Sequence, residues 1–311
     1  MQGFRWVVTS AFLSCAGCVG DDGDTNETKT EARRLRFVAL GDAGSGNDDQ
    51  YAVAAMMEQV CAERGCEFAL YLGDNFYEVG VESAMDEQFS TKFEQPYMDL
   101  GFPFYVALGN HDYGLLGNQF EKSQYQIDYA ASSDQFVLPN EYYAFEREHV
   151  KFYAIDTARM VEGLDVDSQR EFVREERASA SDDIEWHILF GHHPYLSNGF
   201  WGNAGNYGGV EGAGRAIQEL FETEVCGSFS VYFSGHDHGR EWLQPSCGME
   251  FIVSGAGSKL RPWIGRDDTP SRWSDDTVTG FAWVEIEGTT MSVAFYDREG
   301  NLDYENRFER P

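Results

Sequence analysis

The chain has 311 residues, 42% of them hydrophobic, with 53 acidic against 23 basic side chains and a formal net charge of -30. That apolar content suffices for one large core and excludes a disordered or fibrous protein. A chain so negative repels polyanions, which excludes a nucleic-acid backbone as partner and leaves any recognition of phosphate to a local site.

In chain order, the first segment reads as a targeting signal over residues 1–18. Arg5 supplies a positive charge, Trp6 to Leu13 are mostly apolar, and small residues lead to Ala16-Gly17-Cys18. The apolar stretch is too short to span a bilayer. The run Leu13-Ser14-Cys15-Ala16-Gly17-Cys18 resembles a bacterial lipobox, in which a cysteine after small residues is lipidated and becomes the mature N-terminus; Ala-Gly before it favours Cys18. Cleavage without a lipid is the alternative. Residues 19–34 are polar and acidic without apolar periodicity and read as a flexible tether. The expectation is an exported protein of the bacterial periplasm or cell surface, touching membrane only through a lipid on Cys18. Cys61, Cys66, Cys226 and Cys247 remain, and in an exported chain they permit two disulfides. Spacing pairs Cys61 with Cys66, beside a helix end marked by Gly65, and Cys226 with Cys247, which closes the segment around Gly235-His236-Asp237-His238. Buried free thiols are the alternative.

From Leu35 onward apolar runs alternate with polar segments. Arg36 to Leu40 leads into Gly41-Asp42, Phe68 to Leu72 into Gly73-Asp74, and Phe104 to Leu108 into Gly109-Asn110-His111-Asp112. Later, Ile188 to Phe190 leads into Gly191-His192, and Phe229 to Ser234 into Gly235-His236. Each run predicts a strand whose end delivers a glycine and then a ligand-type side chain, and the carboxyl edge of a sheet is where α/β folds place their sites. Asn47-Asp48-Asp49 predicts a helix start, with Val53, Met56, Met57 and Val60 at helical spacing and Gly65 as a stop. A second helix is predicted from Ser168 to Ala180, with Phe172 and Val173 facing inward. Glu250 to Ser254, Gly280 to Ile286 and Met291 to Tyr296 predict short strands, read as antiparallel pairs closing a second sheet.

A lone Gly-Asp after a strand is usually a turn whose carboxylate bonds to nearby backbone. Two aspartates, an asparagine and three histidines, each at a strand end, are instead a supply of oxygen and imidazole ligands for hard-to-borderline metals. With Tyr77 they exceed what one ion needs. Two ions roughly 3.5 to 4 Å apart are the arrangement used for phosphoryl hydrolysis, and a shared carboxylate is the natural bridge. Asp74 is the candidate for it. His236 and His238 alternate in an extended segment and point the same way, or are sent to separate ions by a tight turn.

Gly-Asp-x-Gly at 41–44, Gly-Asp-x-x-Tyr at 73–77, Gly-Asn-His-Asp at 109–112, Gly-His at 191–192 and Gly-His-x-His at 235–238 together resemble the purple acid phosphatases, specifically the short, single-domain, tartrate-resistant kind. The likeness runs in order from about Leu35 to about Tyr296 and includes Ser254-Gly255-Ala256-Gly257. It implies an α/β fold over 35–311, a four-layer metallophosphoesterase sandwich of two mixed sheets flanked by helices. It implies that Asp42, Tyr77 and His238 bind Fe(III) together with the bridging Asp74. Asn110, His192 and His236 would hold a divalent iron, zinc or manganese. The implied activity is hydrolysis of phosphate monoesters, with hydroxide held by the metals as nucleophile. Tyr77 is the discriminating residue, because a phenolate favours trivalent iron; its three-residue offset from Asp74 lifts it above the other 15 of the 16 tyrosines. His111 and Asp112 are the catalytic candidates: His111 would face substrate phosphate, and Asp112 would orient an imidazole or a ligand, a structural turn being nearly as good a reading of Asp112. The chain departs from the family nine residues after His192, where a second substrate-facing histidine is expected and Phe200-Trp201 stand. Trp201 cannot protonate a leaving alkoxide, and reads instead as an apolar or stacking wall at the substrate. His193 is expected to point away, and His149 and His187 to be packing or surface residues.

Competing readings carry less. Glycines 41, 44 and 46 suggest a dinucleotide loop, but a carboxylate at Asp42 opposes a pyrophosphate. No Gly-x-Ser-x-Gly elbow supports a serine hydrolase. The serious rivals are a metallophosphoesterase acting on diesters, nucleotides or phospholipid headgroups, and a lipid-anchored binding protein with little turnover.

Overall fold

The apolar runs are strands, and burial of both their faces explains why they are apolar throughout rather than alternating. The structure, a computed structural model, describes residues 33–310; the targeting segment, Cys18 and all but the last two residues of the expected tether lie outside the described residues. The strands are β1 Arg34–Leu40, β2 Phe68–Leu72, β3 Phe104–Ala107, β4 Phe136–Val137, β5 Tyr143–Arg147, β6 Val150–Ala154 and β7 Trp186–Phe190. They continue with β8 Val231–Ser234, β9 Arg240–Leu243, β10 Glu250–Ser254, β11 Ser271–Asp275, β12 Gly280–Glu287, β13 Thr290–Asp297 and β14 Leu302–Glu309.

They form two seven-stranded mixed sheets, ordered β14-β13-β12-β1-β2-β3-β4 and β11-β9-β10-β8-β7-β6-β5. In the first, β1 to β4 run parallel; in the second, β6, β7, β8 and β10 do. The sheets face each other across an aromatic core in which Phe37 of β1 meets Phe152 of β6 at 5.6 Å and Phe233 of β8 at 5.9 Å. Alternate residues of the second sheet, Tyr153, Leu189 and Tyr232, point outward and are covered by Val173, Ile217 and Leu220 from helices Val166–Ala178 and Arg215–Leu220. The helix Asp48–Arg64 buries Val53, Met57 and Val60; Asn47 caps it by accepting the Gln50 N–H at 3.0 Å, and Gly65, at φ 85°, ends it.

Both cysteine pairs are joined, Cys61 to Cys66 and Cys226 to Cys247. The C-terminal strands depart from the sequence reading. Rather than closing a second sheet among themselves, β12 and β13 join the first sheet, with β12 antiparallel to β1, while β10 lies inside the second sheet beside β8. The reason is topological: β1 has one side against β2, and without β12 its other side would be an unpaired edge.

Candidate metal centre

Each ligand-type residue stands at the carboxyl end of a parallel strand: Asp42 after β1, Asp74 after β2, Asn110 after β3, His192 after β7, and His236 and His238 after β8. The two sheets thus bring six residues from five strand ends to one edge of the sandwich. Asp42, Asp74 and His236 have left-handed backbone (φ 57°, 55° and 67°), a conformation that non-glycine residues adopt sparsely and that collects at functional sites. The preceding glycines are needed for space: a Cβ on Gly109 would lie 2.3 Å from Asp74 Oδ1, and one on Gly235 2.5 Å from Asp42 Oδ2.

The donors converge as two linked groups. In one, His192 Nε2 lies 3.2 Å from Asn110 Oδ1, 3.1 Å from His236 Nδ1 and 3.4 Å from Asp74 Oδ1. In the other, the Tyr77 hydroxyl is 2.8 Å from Asp42 Oδ1 and 3.2 Å from His238 Nε2, which is itself 3.3 Å from Asp42 Oδ1. Ligand atoms of Asp42, Asp74 and His192 all fall within 4.8 Å of one another, and Asp74 also interacts with the Tyr77 hydroxyl, so Asp74 stands between the groups.

This arrangement fits cations. His192 Nδ1 is 2.9 Å from the Leu72 carbonyl and donates its hydrogen there, so Nε2 carries the lone pair and faces other acceptor atoms. Asp42 and Asp74 are buried together, 0% and 1% exposed, which is costly for two carboxylates without a counter-charge. The electrostatics agree. Burial would lower the His192 imidazole, but Asp74 and Asp42 raise it, so the pocket favours positive charge. Burial likewise raises Asp74, yet His192 and His111 bring it below the ordinary carboxylate range. Tyr77 is pushed well above a free phenol, first by burial and then by Asp42 and Asp74.

His111 lies beside this cluster, half-buried, its backbone N–H on Asp74 Oδ1 at 2.9 Å and its ring 4.6 Å from that of Tyr77. Nδ1 is 2.7 Å from the Glu78 carbonyl, and among the described residues Nε2 has no hydrogen-bond partner. Asp112 fits the structural one of its two readings. It accepts from the backbone N–H groups of Asn75 (3.0 Å), Phe76 (3.2 Å) and Gly109 (2.8 Å) and from Gln126 (3.0 Å), and no imidazole among the described residues bonds to it. Burial, with Asp74 nearby, pushes it up to about 6. It stitches the Asp74 loop to the Asn110 loop and is a positioning residue, since its carboxylate is engaged by N–H groups of these loops and by Gln126 of the helix Lys122–Ala130.

Trp201 lies over His236, ring centroids 5.4 Å apart and 25° from parallel. One face of the indole is therefore turned to His236. His193 does not point away from the cluster: it is buried, its ring 4.2 Å from His236 and its Nδ1 3.0 Å from Thr157 Oγ1. His149 and His187 are packing residues, bonded to the Gly288 carbonyl and the Tyr153 hydroxyl. Sequence reasoning missed Asp237, whose carboxylate accepts the Trp201 N–H at 2.7 Å and the Gly202 N–H at 3.1 Å and so ties that loop to the His236-His238 turn. It also missed Lys259, its ammonium 3.7 Å from the Tyr77 ring centroid and paired with Glu78, and Arg261, whose guanidinium carbon lies 4.9 Å from the Phe200 ring centroid and 5.5 Å from that of Trp201. A lone Asp between two histidines was the only available signal for the first; Lys259 and Arg261 follow the Ser254-Gly255-Ala256-Gly257 segment and carried none.

Tartrate-resistant acid phosphatase type 5 of Sus scrofa is 28% identical over 98% of this chain and 95% of its own length. Among solved structures, GAP50, the anchor in the inner membrane complex of Plasmodium, superposes with a TM-score of 0.73 at 21% identity over 89% of each chain. Purple acid phosphatase from yellow lupin (Lupinus luteus) seeds superposes at 0.66 and 17% identity over 90% of this chain and 54% of that one. Residues 35–240, from β1 through the last of the clustered histidines, match the Calcineurin-like phosphoesterase family, and this chain belongs to it.

Proposed function

We propose that the protein hydrolyses phosphate monoesters at a binuclear centre of Fe(III) and a divalent iron, zinc or manganese. Asp42, Tyr77 and His238 would hold the ferric ion, Asn110, His192 and His236 the divalent one, with Asp74 shared. The observation that carries this reading is the Tyr77 hydroxyl, 2.8 Å from Asp42 Oδ1 and 3.2 Å from His238 Nε2. A buried phenol flanked by carboxylates ionises only beside a strongly charged cation, and trivalent iron supplies that charge. When bound, the two ions supply hydroxide in mild acid and neutralise charge on the transferring phosphoryl group.

The chain's own residues do the rest. His111, its ring oriented by the Glu78 carbonyl, binds a phosphate oxygen through the remaining nitrogen. Asp112 holds the Asp74 and Asn110 loops in register. Trp201 contributes a wall and no proton, so substrates whose leaving group departs unprotonated suit the cleft. The relatives named acid phosphatase support a monoester as substrate. The two disulfides support an oxidising compartment, and with the lipobox-like run before Cys18 we place the protein on the exported side of a bacterial membrane, lipid-anchored.

Elemental analysis with a visible spectrum of the purified protein is the test. Iron, with a tyrosinate charge-transfer band that disappears in Tyr77→Phe, is the expected result. Zinc alone and no colour would replace this reading with a metallophosphoesterase of another substrate class, which hydrolysis of bis- against mono-(p-nitrophenyl) phosphate would then identify.

A further inference from the structure

A cation lies over the ring of Tyr77. The Lys259 ammonium is 3.7 Å from the ring centroid and is paired with the carboxylate of Glu78, the residue that follows Tyr77. The backbone carbonyl of the same Glu78 accepts from His111 Nδ1 at 2.7 Å, and the His111 ring lies 4.6 Å from that of Tyr77. Glu78 thus holds two neighbours of the ring, one by its side chain and one by its backbone. The place of Lys259 is fixed along the chain on both sides. Ser258 Oγ donates to the Asp42 carbonyl at 2.6 Å, and the Arg261 N–H donates to the His238 carbonyl at 3.0 Å. Asp42 and His238 are the side chains that meet the Tyr77 hydroxyl, so the segment bearing Lys259 is fastened to the backbone of both. With its side chain 26% exposed, Lys259 has its charge only partly screened by water.

We propose that Lys259 is a positioning residue that acts through Tyr77: its charge over the ring draws electron density away from the phenol oxygen and so sets how strongly that oxygen donates to a cation held beside Asp42 and His238. The inference rests on the reading of Tyr77 as a metal ligand and names the residue that tunes it. An ammonium over an aromatic face is attracted by the negative face of the ring's quadrupole, more strongly where water is partly excluded. Asp42, 2.8 Å from the hydroxyl, acts the other way, because a carboxylate beside the oxygen raises the energy of its electrons. Lys259 offsets that effect from the ring side, and Glu78, by pairing with the ammonium, limits the offset. A weaker phenolate donor leaves a trivalent ion more electron-poor, and hence a stronger Lewis acid toward a phosphoryl oxygen.

The test reads the tyrosinate charge-transfer band of the iron-loaded protein in Lys259→Met, Lys259→Arg and Glu78→Gln. Loss of the ammonium raises the energy of the phenolate electrons, so the band is expected at longer wavelength in Lys259→Met and close to its wild-type position in Lys259→Arg. Glu78→Gln leaves the ammonium unpaired and is expected to move the band the other way, to shorter wavelength. A general loosening of the loops gives no such opposed shifts. NMR of the zinc-loaded protein supplies a second readout: the ε-methylene protons of Lys259 are expected upfield of the ordinary lysine position, shifted by the ring beneath them, and to return to it in Tyr77→Leu. A band that stays in place in Lys259→Met, or that moves the same way in Lys259→Met and Glu78→Gln, overturns the proposal, as does an unshifted ε-methylene signal. Should the wild type take up zinc alone and show no colour, the ferric reading falls by itself, and the ε-methylene signal decides whether Lys259 acts on Tyr77.

Discussion

In the proposed reaction, Trp201 is the side chain on which the leaving-group chemistry turns. It lies over His236, and its backbone is held by Asp237, so a substitution there changes one wall of the cleft while leaving the ligand backbone tied down. Trp201→His places an imidazole where the indole was. It is expected to raise kcat/KM for an alkyl phosphate such as glycerol phosphate relative to p-nitrophenyl phosphate by at least about tenfold, below the usual range for a well-placed general acid because the ring is not optimised. Equal rate ratios in both proteins would show that proton delivery is not what this position lacks. Asp42, Asp74, Asn110, His192, His236 and His238 were legible because each follows an apolar run and a glycine. Tyr77 was legible through its offset from Asp74. Asp237, Lys259 and Arg261 were not, since what they touch is set by loops that meet only in the folded chain, and for Asp112 only the fold distinguishes its two readings, the carboxylate turning to backbone N–H groups of the Asp74 and Asn110 loops.

At the level of elements, the turn between β8 and β9 carries His236, Asp237 and His238, and the Cys226–Cys247 disulfide closes the segment around it with a sequence separation of 21. By loop-closure entropy, removing it costs about 3 kcal/mol, more than removing Cys61–Cys66, whose loop is shorter. Urea unfolding of Cys226→Ser/Cys247→Ser against Cys61→Ser/Cys66→Ser measures this; the reverse order would mean that native-state strain or denatured-state structure dominates instead. The helix Asp48–Arg64 was readable to within a residue because its start and stop are chemical: an asparagine side chain accepts a free N–H, and a glycine takes positive φ. The partners of β12 were not readable, because an apolar strand advertises burial but not which neighbour provides it. The polar strand β14, largely exposed, lacks even that signal.

Across the whole molecule, buried carboxylates couple stability to pH. Glu241 accepts from the Asn198 backbone and amide and from Ser271, and burial pushes it up to about 7; Asp156, bonded to Tyr113, is likewise pushed up to about 7. A folded-state value raised above the unfolded one, about 4 for either group, means that the native state binds more protons between those limits. The stability these groups contribute is therefore fully present below about pH 4 and is lost as pH rises through about 7. Glu241→Gln keeps the hydrogen-bonding shape without the titration, so the wild-type melting temperature is expected to fall relative to the variant between pH 4.5 and pH 7.5. A constant difference across that range would refute the assignment.

Taken alone, the sequence determined the ligand-type residues and the strand-end logic that delivers them, because ligand type, glycine and apolar run are local features with local causes. It also favoured the disulfide pairs that the structure shows, through spacing and compartment. Only the tertiary structure decided which strands share a sheet and that Asp74 lies between the two ligand groups. It alone brought Arg261 beside Trp201. Those depend on distances between residues far apart in the chain, and no local pattern of residue types encodes such distances.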